Sequence, residues 1–301
     1  MAENIILTEQ TNADTVNIDL MEPIDIAKSI NNEDKKVAIA VEAELENIAK
    51  AIEIISAAFL KGGRLAYFGA GTSGRLGVLD ASECWPTFGV ERSMVQGYIA
   101  GGDKALRFSI ENAEDNEEFG LADLNTFNPT SNDVVVGISA SGNPKYVLSI
   151  LKQAQKMGVP TIGITSNPNA KLKEFSDVCI CTVVGQEAIT GSSRLKSGTA
   201  QKMVLNMLST GAMIRIGKTY KNYMIDMRMV NEKLIDRGAR FVSQICSIEK
   251  EEALSVLQDS GYSVKTACVM KIKKCDKDTA LKMLAEHNGI LRKVIGDEKI
   301  C

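Results

Sequence analysis

The sequence predicts an α/β fold: a three-layer, parallel five-stranded sheet, with N-terminal helices before it and a small C-terminal helical bundle after it. Three observations carry this. Between residues 64 and 183, five short and nearly continuous apolar runs alternate with helical stretches or connectors, the pattern of strands buried on both faces. Before them, apolar residues recur at three- and four-residue spacing. Beyond about residue 222, almost every segment reads as an amphipathic helix. The 301 residues suit two domains better than one. We divide them into an N-terminal helical segment (1–60), a sheet domain (61–222) and a C-terminal helical domain (223–301).

In chain order, residues 1–21 are polar and irregular. Pro23 suits the first position of a short helix reaching Ser29, because its missing N–H would go unpaired there anyway. Asn32 then caps a longer helix in which Val37, Val41, Leu45, Ile48, Ile52, Ile55 and Phe59 share a face, ending at Gly62-Gly63. The strands are read at 65–68, 94–99, 134–138, 161–164 and 178–183. A long helix is expected over 193–216, then helices over 226–246, 249–259, 263–273 and 276–288.

Composition narrows the chemistry. Hydrophobic residues make up 45% and charged residues 24%, which excludes disordered and disulfide-scaffold classes. The single histidine, His287, excludes a zinc site built from two or three histidines and would have to serve any His-dependent nucleophile by itself. Proton chemistry therefore falls to carboxylates, lysine or tyrosine. Residues 1–200 hold 17 Lys+Arg against 26 Asp+Glu, and residues 201–301 hold 18 against 12. The basic tail has few aromatics and mixed signs, so it reads as solvated helix faces and not a nucleic-acid surface. Seven cysteines without a C-x-x-C pair suit reduced thiols. No basic amino-terminal region and no long apolar run are present, so a cytoplasmic protein that does not span a membrane is expected.

In a parallel sheet, ligands bind beyond the carboxyl ends of the strands, so the loops there are the ones that matter. The first strand runs into Gly69-Ala70-Gly71-Thr72-Ser73-Gly74-Arg75. This is formally a dinucleotide G-x-G-x-x-G, but Thr72 and Ser73 at a helix start suit a single phosphate equally well. The third strand ends in Ser139-Ala140-Ser141-Gly142-Asn143-Pro144, a second hydroxyl-rich turn. Ordinary N-capping is the competing explanation of both. A third polar segment, from Gly185 to Thr199, opens the long helix, and within it Glu187 is a candidate to meet sugar hydroxyls. Glu83, beside the only tryptophan (Trp85), and Glu114, in Glu111-Asn112-Ala113-Glu114-Asp115-Asn116, are the acid/base candidates. Cys179 and Cys181 face one side of a strand and read as core.

Taken together, Gly69 to Cys84, Ala113-Glu114-Asp115, Ser139-Ala140-Ser141-Gly142 and Ile189 to Lys202 closely resemble the N-acetylmuramic acid 6-phosphate etherases. The likeness starts at Asn31-Asn32-Glu33-Asp34 and continues into Asn231-Glu232-Lys233-Leu234. The resemblance implies a sugar isomerase domain that binds a phosphosugar, a homodimer with sites near the interface, and no metal or organic cofactor. It implies removal of the D-lactyl ether from carbon 3 and addition of water, giving N-acetylglucosamine 6-phosphate and D-lactate. By family match, Glu83 is the proton donor to lactate and Glu114 the second acid/base residue, which the resemblance assigns as base at carbon 2. Thr72, Ser73, Ser139 and Ser141, with Gly142, match positions that hold the phosphosugar. Trp85 and Asn143-Pro144 depart from the family pattern. Alternatives on the same fold are a phosphosugar-sensing regulator and an aldose-ketose isomerase; a dinucleotide dehydrogenase ranks last.

Overall fold

A computed structural model describes residues 6–296, so Cys301 lies outside the described residues. The chain forms two compact units. Residues up to Ser82 with Arg92–Ala212 make one, and Glu83–Glu91 with the residues from Met213 onward make the other. Residues 213–222, read above with the sheet, thus group with the helical unit.

In the first unit, helices α1 (Pro23–Glu42) and α2 (Leu45–Leu60) precede strand β1 (Leu65–Gly69). The expected break at Asn32 is absent. Asn32 lies inside α1, where its side chain accepts from Lys35 Nζ at 2.9 Å, and the chain turns instead at Ala43-Glu44. An Asn starts a helix only where the backbone leaves helical geometry, and α1 never does so there. Then follow α3 (Gly71–Phe88), β2 (Val95–Ile99), α4 (Lys104–Arg107), α5 (Glu117–Phe127), β3 (Val134–Ile138), α6 (Lys145–Lys156), β4 (Thr161–Thr165), β5 (Val178–Cys181) and α7 (Lys196–Arg215). Among the described residues five strands form one sheet, all parallel, in the order β2-β1-β3-β4-β5.

Side chains alternate across β1. Ala66 and Phe68 pack with Leu124 and Phe127 of α5 and Tyr146, Val147, Ile150 and Leu151 of α6. Tyr67 points to the other face, where its hydroxyl donates to Asp80 of α3 at 3.0 Å. Asn206 and Ser209 of α7 also donate to Asp80, at 2.7 and 3.1 Å, tying α3 and α7 to the sheet. Burial pushes the Asp80 carboxyl up, and these three donors oppose that rise.

The strand order reverses between β1 and β3, and this crevice is where an open α/β sheet binds its ligand. The loops that follow Gly69 and Ile138 border it.

The second unit holds α8 (Glu232–Cys246), α9 (Lys250–Asp259), α10 (Val264–Lys273), α11 (Lys277–Glu286) and α12 (Leu291–Ile295), packed around Val242, Leu257, Val264, Cys268 and Leu291. The helix expected from residue 226 starts only at Glu232, capped by Asn231, which accepts from Leu234 N. Trp85 lies 5.0 Å under the Arg228 guanidinium, which also pairs with Glu91 at 3.2 Å. His287 is exposed at the end of α11. Among the described residues, no helix is long and apolar enough to cross a membrane.

Candidate functional site

The turn from β1 into α3 is as tight as a backbone permits. A Cβ on Gly69 would lie 2.7 Å from Gly74 N, and one on Gly74 would lie 2.5 Å from Gly69 O. Only glycine fits either position. The turn places the backbone of Ala70 and Gly71 at the crevice. It carries Thr72 and Ser73 toward α7, where Thr72 Cγ2 meets Gly198 and the Ser73 hydroxyl donates to Gln201 Oε1 at 2.9 Å.

Across the crevice, the turn after β3 is held rigidly. Ser139 Oγ accepts from Gly142 N at 3.0 Å and lies 3.5 Å from Ser141 Oγ. The loop after β4 buttresses it: Asn167 Nδ2 donates to Ser141 O at 2.8 Å, and Ser166 N and Thr165 Oγ1 donate to Ala140 O at 3.0 and 3.1 Å. Ser139 and Ser141 line a cavity of about 250 Å³ together with Ala70, Glu114, Pro144 and Ser193.

Glu114 occupies a turn between α4 and α5, and its carbonyl accepts from Tyr146 N at 2.9 Å, which anchors the turn to α6. It borders the serine-lined cavity. With Ala70 it also borders a second cavity, of about 230 Å³, which Arg75, Phe108 and Ile110 line as well. A carboxylate at this junction can reach groups in both.

The other expected residues lie elsewhere. Thr72 and Ser73 line neither of these cavities. Glu187 is fully buried, and its two oxygens accept from Lys196 N and Ser197 N at 2.8 and 2.9 Å. It caps α7 and shapes the loop before it, with no face open to a sugar. Glu83 is exposed on α3, twelve residues beyond Gly71 and therefore about 18 Å further along the helix, and it borders neither cavity.

Two contributions were not legible in the sequence. The polar amino-terminal residues form a strap: Thr8 O accepts from Gly191 N at 3.0 Å, Asn12 Nδ2 donates to Gln186 O at 3.2 Å and Thr15 Oγ1 to Ala188 O at 2.8 Å. The strap brings Thr8 and Glu9 to the wall of the serine-lined cavity. Gly191, at φ +78°, makes room for it, since a Cβ there would stand 3.0 Å from Glu9 Oε2. The second is a buried ion pair, Lys196 Nζ to Glu33 Oε2 at 2.5 Å, between α7 and α1. Burial alone would push the Glu33 carboxyl up, but hydrogen bonds from Lys196, Lys36 and Asn12 hold it down at about 2. Glu33 and Lys196 both lie in segments that carry the family resemblance, but they are 163 residues apart and no local pattern links them.

Comparison with known proteins agrees with this architecture. A model of the glucokinase regulatory protein N-terminal SIS domain matches residues 47–155, and a SIS domain model matches residues 113–211. A curated protein of Vibrio atlanticus (strain LGP32), named N-acetylmuramic acid 6-phosphate etherase, is 50% identical over 96% of this chain and 95% of its own length. One of the same name from Clostridium botulinum (strain Hall) is 48% identical, over 96% of both. Among solved structures, a putative phosphosugar isomerase involved in capsule formation, from Bacteroides fragilis, is similar with a TM-score of 0.51. It is 24% identical and covers 67% of this chain and 97% of its own, a likeness of fold.

Proposed function

Because the chain belongs to the N-acetylmuramic acid 6-phosphate etherase family, we propose that its crevice binds N-acetylmuramic acid 6-phosphate. There it cleaves the D-lactyl ether by elimination and adds water, a carbon–oxygen lyase reaction of peptidoglycan amino-sugar recycling. The observation that carries this is the place of Glu114, a carboxylate at the junction of a serine-lined cavity and a second cavity beside it. Ring opening exposes an aldehyde that acidifies the proton on carbon 2. Glu114 takes that proton, the bond from carbon 3 to the ether oxygen breaks, and an acid protonates the departing lactate. Water then adds at carbon 3 and carbon 2 is reprotonated, giving N-acetylglucosamine 6-phosphate.

Ser139, Ser141 and the Gly142 turn hold the phosphosugar, supported by their position at the β1/β3 crevice. Thr72 and Ser73 act at one remove, by fixing α3 against α7. Glu83 is the donor to lactate. Its exposure on α3, four residues beyond the exposed Leu79, supports a homodimer in which it serves the partner's site. The cysteines among the described residues, none of them in a disulfide, suit the cytoplasm as the compartment.

Incubating the purified protein with N-acetylmuramic acid 6-phosphate and assaying D-lactate tests the activity. Release of D-lactate supports it. Ketose phosphate without lactate would mean an isomerase, and binding without turnover a sensor. In deuterated water Glu114→Gln loses exchange at carbon 2, whereas Glu83→Gln keeps some exchange and expels no lactate. The reverse pattern would exchange their roles.

A further inference from the structure

We propose that Arg75 forms the subsite for the lactyl carboxylate and so sets the specificity of this site for a lactyl ether over an ordinary hexosamine phosphate. The inference rests on reading the crevice as the etherase site. Arg75 lies in the first turns of α3, and it is the one cation, among the described residues, that lines either of the two cavities meeting at Glu114. Its Nε donates to Leu106 O at 3.1 Å and an Nη to Phe108 O at 3.5 Å. These bonds fix the guanidinium plane and leave other N–H groups free. Among the described residues no carboxylate pairs with it, although Glu111 and Glu114 line the same cavity. An anion entering that cavity therefore meets Arg75 as the one cationic side chain, among the described residues, that lines it. The planar fork of a guanidinium matches a carboxylate in two-point contact.

The remaining walls fit the rest of the group. Phe108 and Ile110 are 68% and 39% exposed and line this cavity, offering an apolar contact for the lactyl methyl. With the lactyl group here and the phosphate in the serine-lined cavity, the bond from carbon 3 to the ether oxygen falls beside Glu114.

The test compares two ligands that differ by the lactyl group. For Arg75→Met and Arg75→Lys, KM for N-acetylmuramic acid 6-phosphate is measured beside the Ki of N-acetylglucosamine 6-phosphate as competitive inhibitor, with melting temperature as a check on folding. Loss of a charge-assisted contact raises KM by about 10- to 100-fold in Arg75→Met and by less in Arg75→Lys, while Ki stays within about twofold. Parallel rises in KM and Ki would mean that Arg75 only supports the loop at 106–108, and no change in either would remove it from the site; both overturn the subsite. An unsubstituted protein that releases no lactate overturns the etherase reading instead.

Discussion

At the scale of single residues, the buried Glu33–Lys196 pair makes the clearest demand on stability. Both side chains are almost fully buried, at 3% and 1% exposure, so each depends on the other for compensation. Glu33→Gln leaves the Lys196 ammonium buried without its counter-charge, and the expected cost is about 3–5 kcal/mol. The sign of the pH dependence follows from the depressed carboxyl. A group whose folded value, about 2, lies below its unfolded value contributes stability above the unfolded value and loses it as pH falls toward the folded one. Denaturant melts of the parent should therefore weaken between about pH 4.5 and 2, and Glu33→Gln should be flatter across that window. Equal slopes in the two proteins would remove Glu33 from the acid limb.

At the scale of elements, the strap formed by residues 8–15 carries one apolar residue, the exposed Ala13, and hydrogen-bonds to the loop at 186–191. Thr15→Ala removes a buried bond to Ala188 O, worth about 1 kcal/mol. Gly191→Ala imposes left-handed backbone on a Cβ residue, about 1–2 kcal/mol, and crowds Glu9. Faster amide exchange over 8–15 and an unchanged core are expected, with kcat/KM down by about 5- to 10-fold. Unaltered exchange in both variants would show that the strap does not depend on these contacts. The strap also shows where sequence reading stops. The five strands lie within a residue or two of their expected places because near-continuous apolar runs are a local signal, and the two hydroxyl-rich turns were legible from their glycines and serines. Thr15 and Ala188 are 173 residues apart, and Glu33 and Lys196 are 163 apart. Such pairings leave no period and no local motif. The same limit explains Glu187 and Ser73. Their residue types suit a sugar or a phosphate, and only the packing of α7 shows that a helix end and Gln201 occupy them.

At the scale of the whole molecule, the two proposed carboxylates raise a question of assembly. Glu114 borders both cavities, and Glu83 sits exposed on α3 and borders neither, so a proton donor at Glu83 serves a site built by another copy of the chain. This predicts complementation. In a dimer formed from one Glu83→Gln chain and one Glu114→Gln chain, a site that takes Glu114 from the first chain and Glu83 from the second is intact, and the other site lacks both groups. Mixing the two inactive variants under conditions that exchange subunits should therefore restore lactate release. At equal mixing about half the dimers are hybrids with one working site each, so recovery approaches about a quarter of the parent rate per chain. If each site used its own Glu83, every site in the mixture would lack one carboxylate and the rate would stay at the level of the single variants. Size-exclusion measurements on the mixture must show dimers, because a monomer as active as the parent would leave Glu83 no partner site to serve and would return the donor role to a residue already at a cavity wall, where Glu111 beside the lactyl subsite and Glu9 in the serine-lined cavity are the other carboxylates.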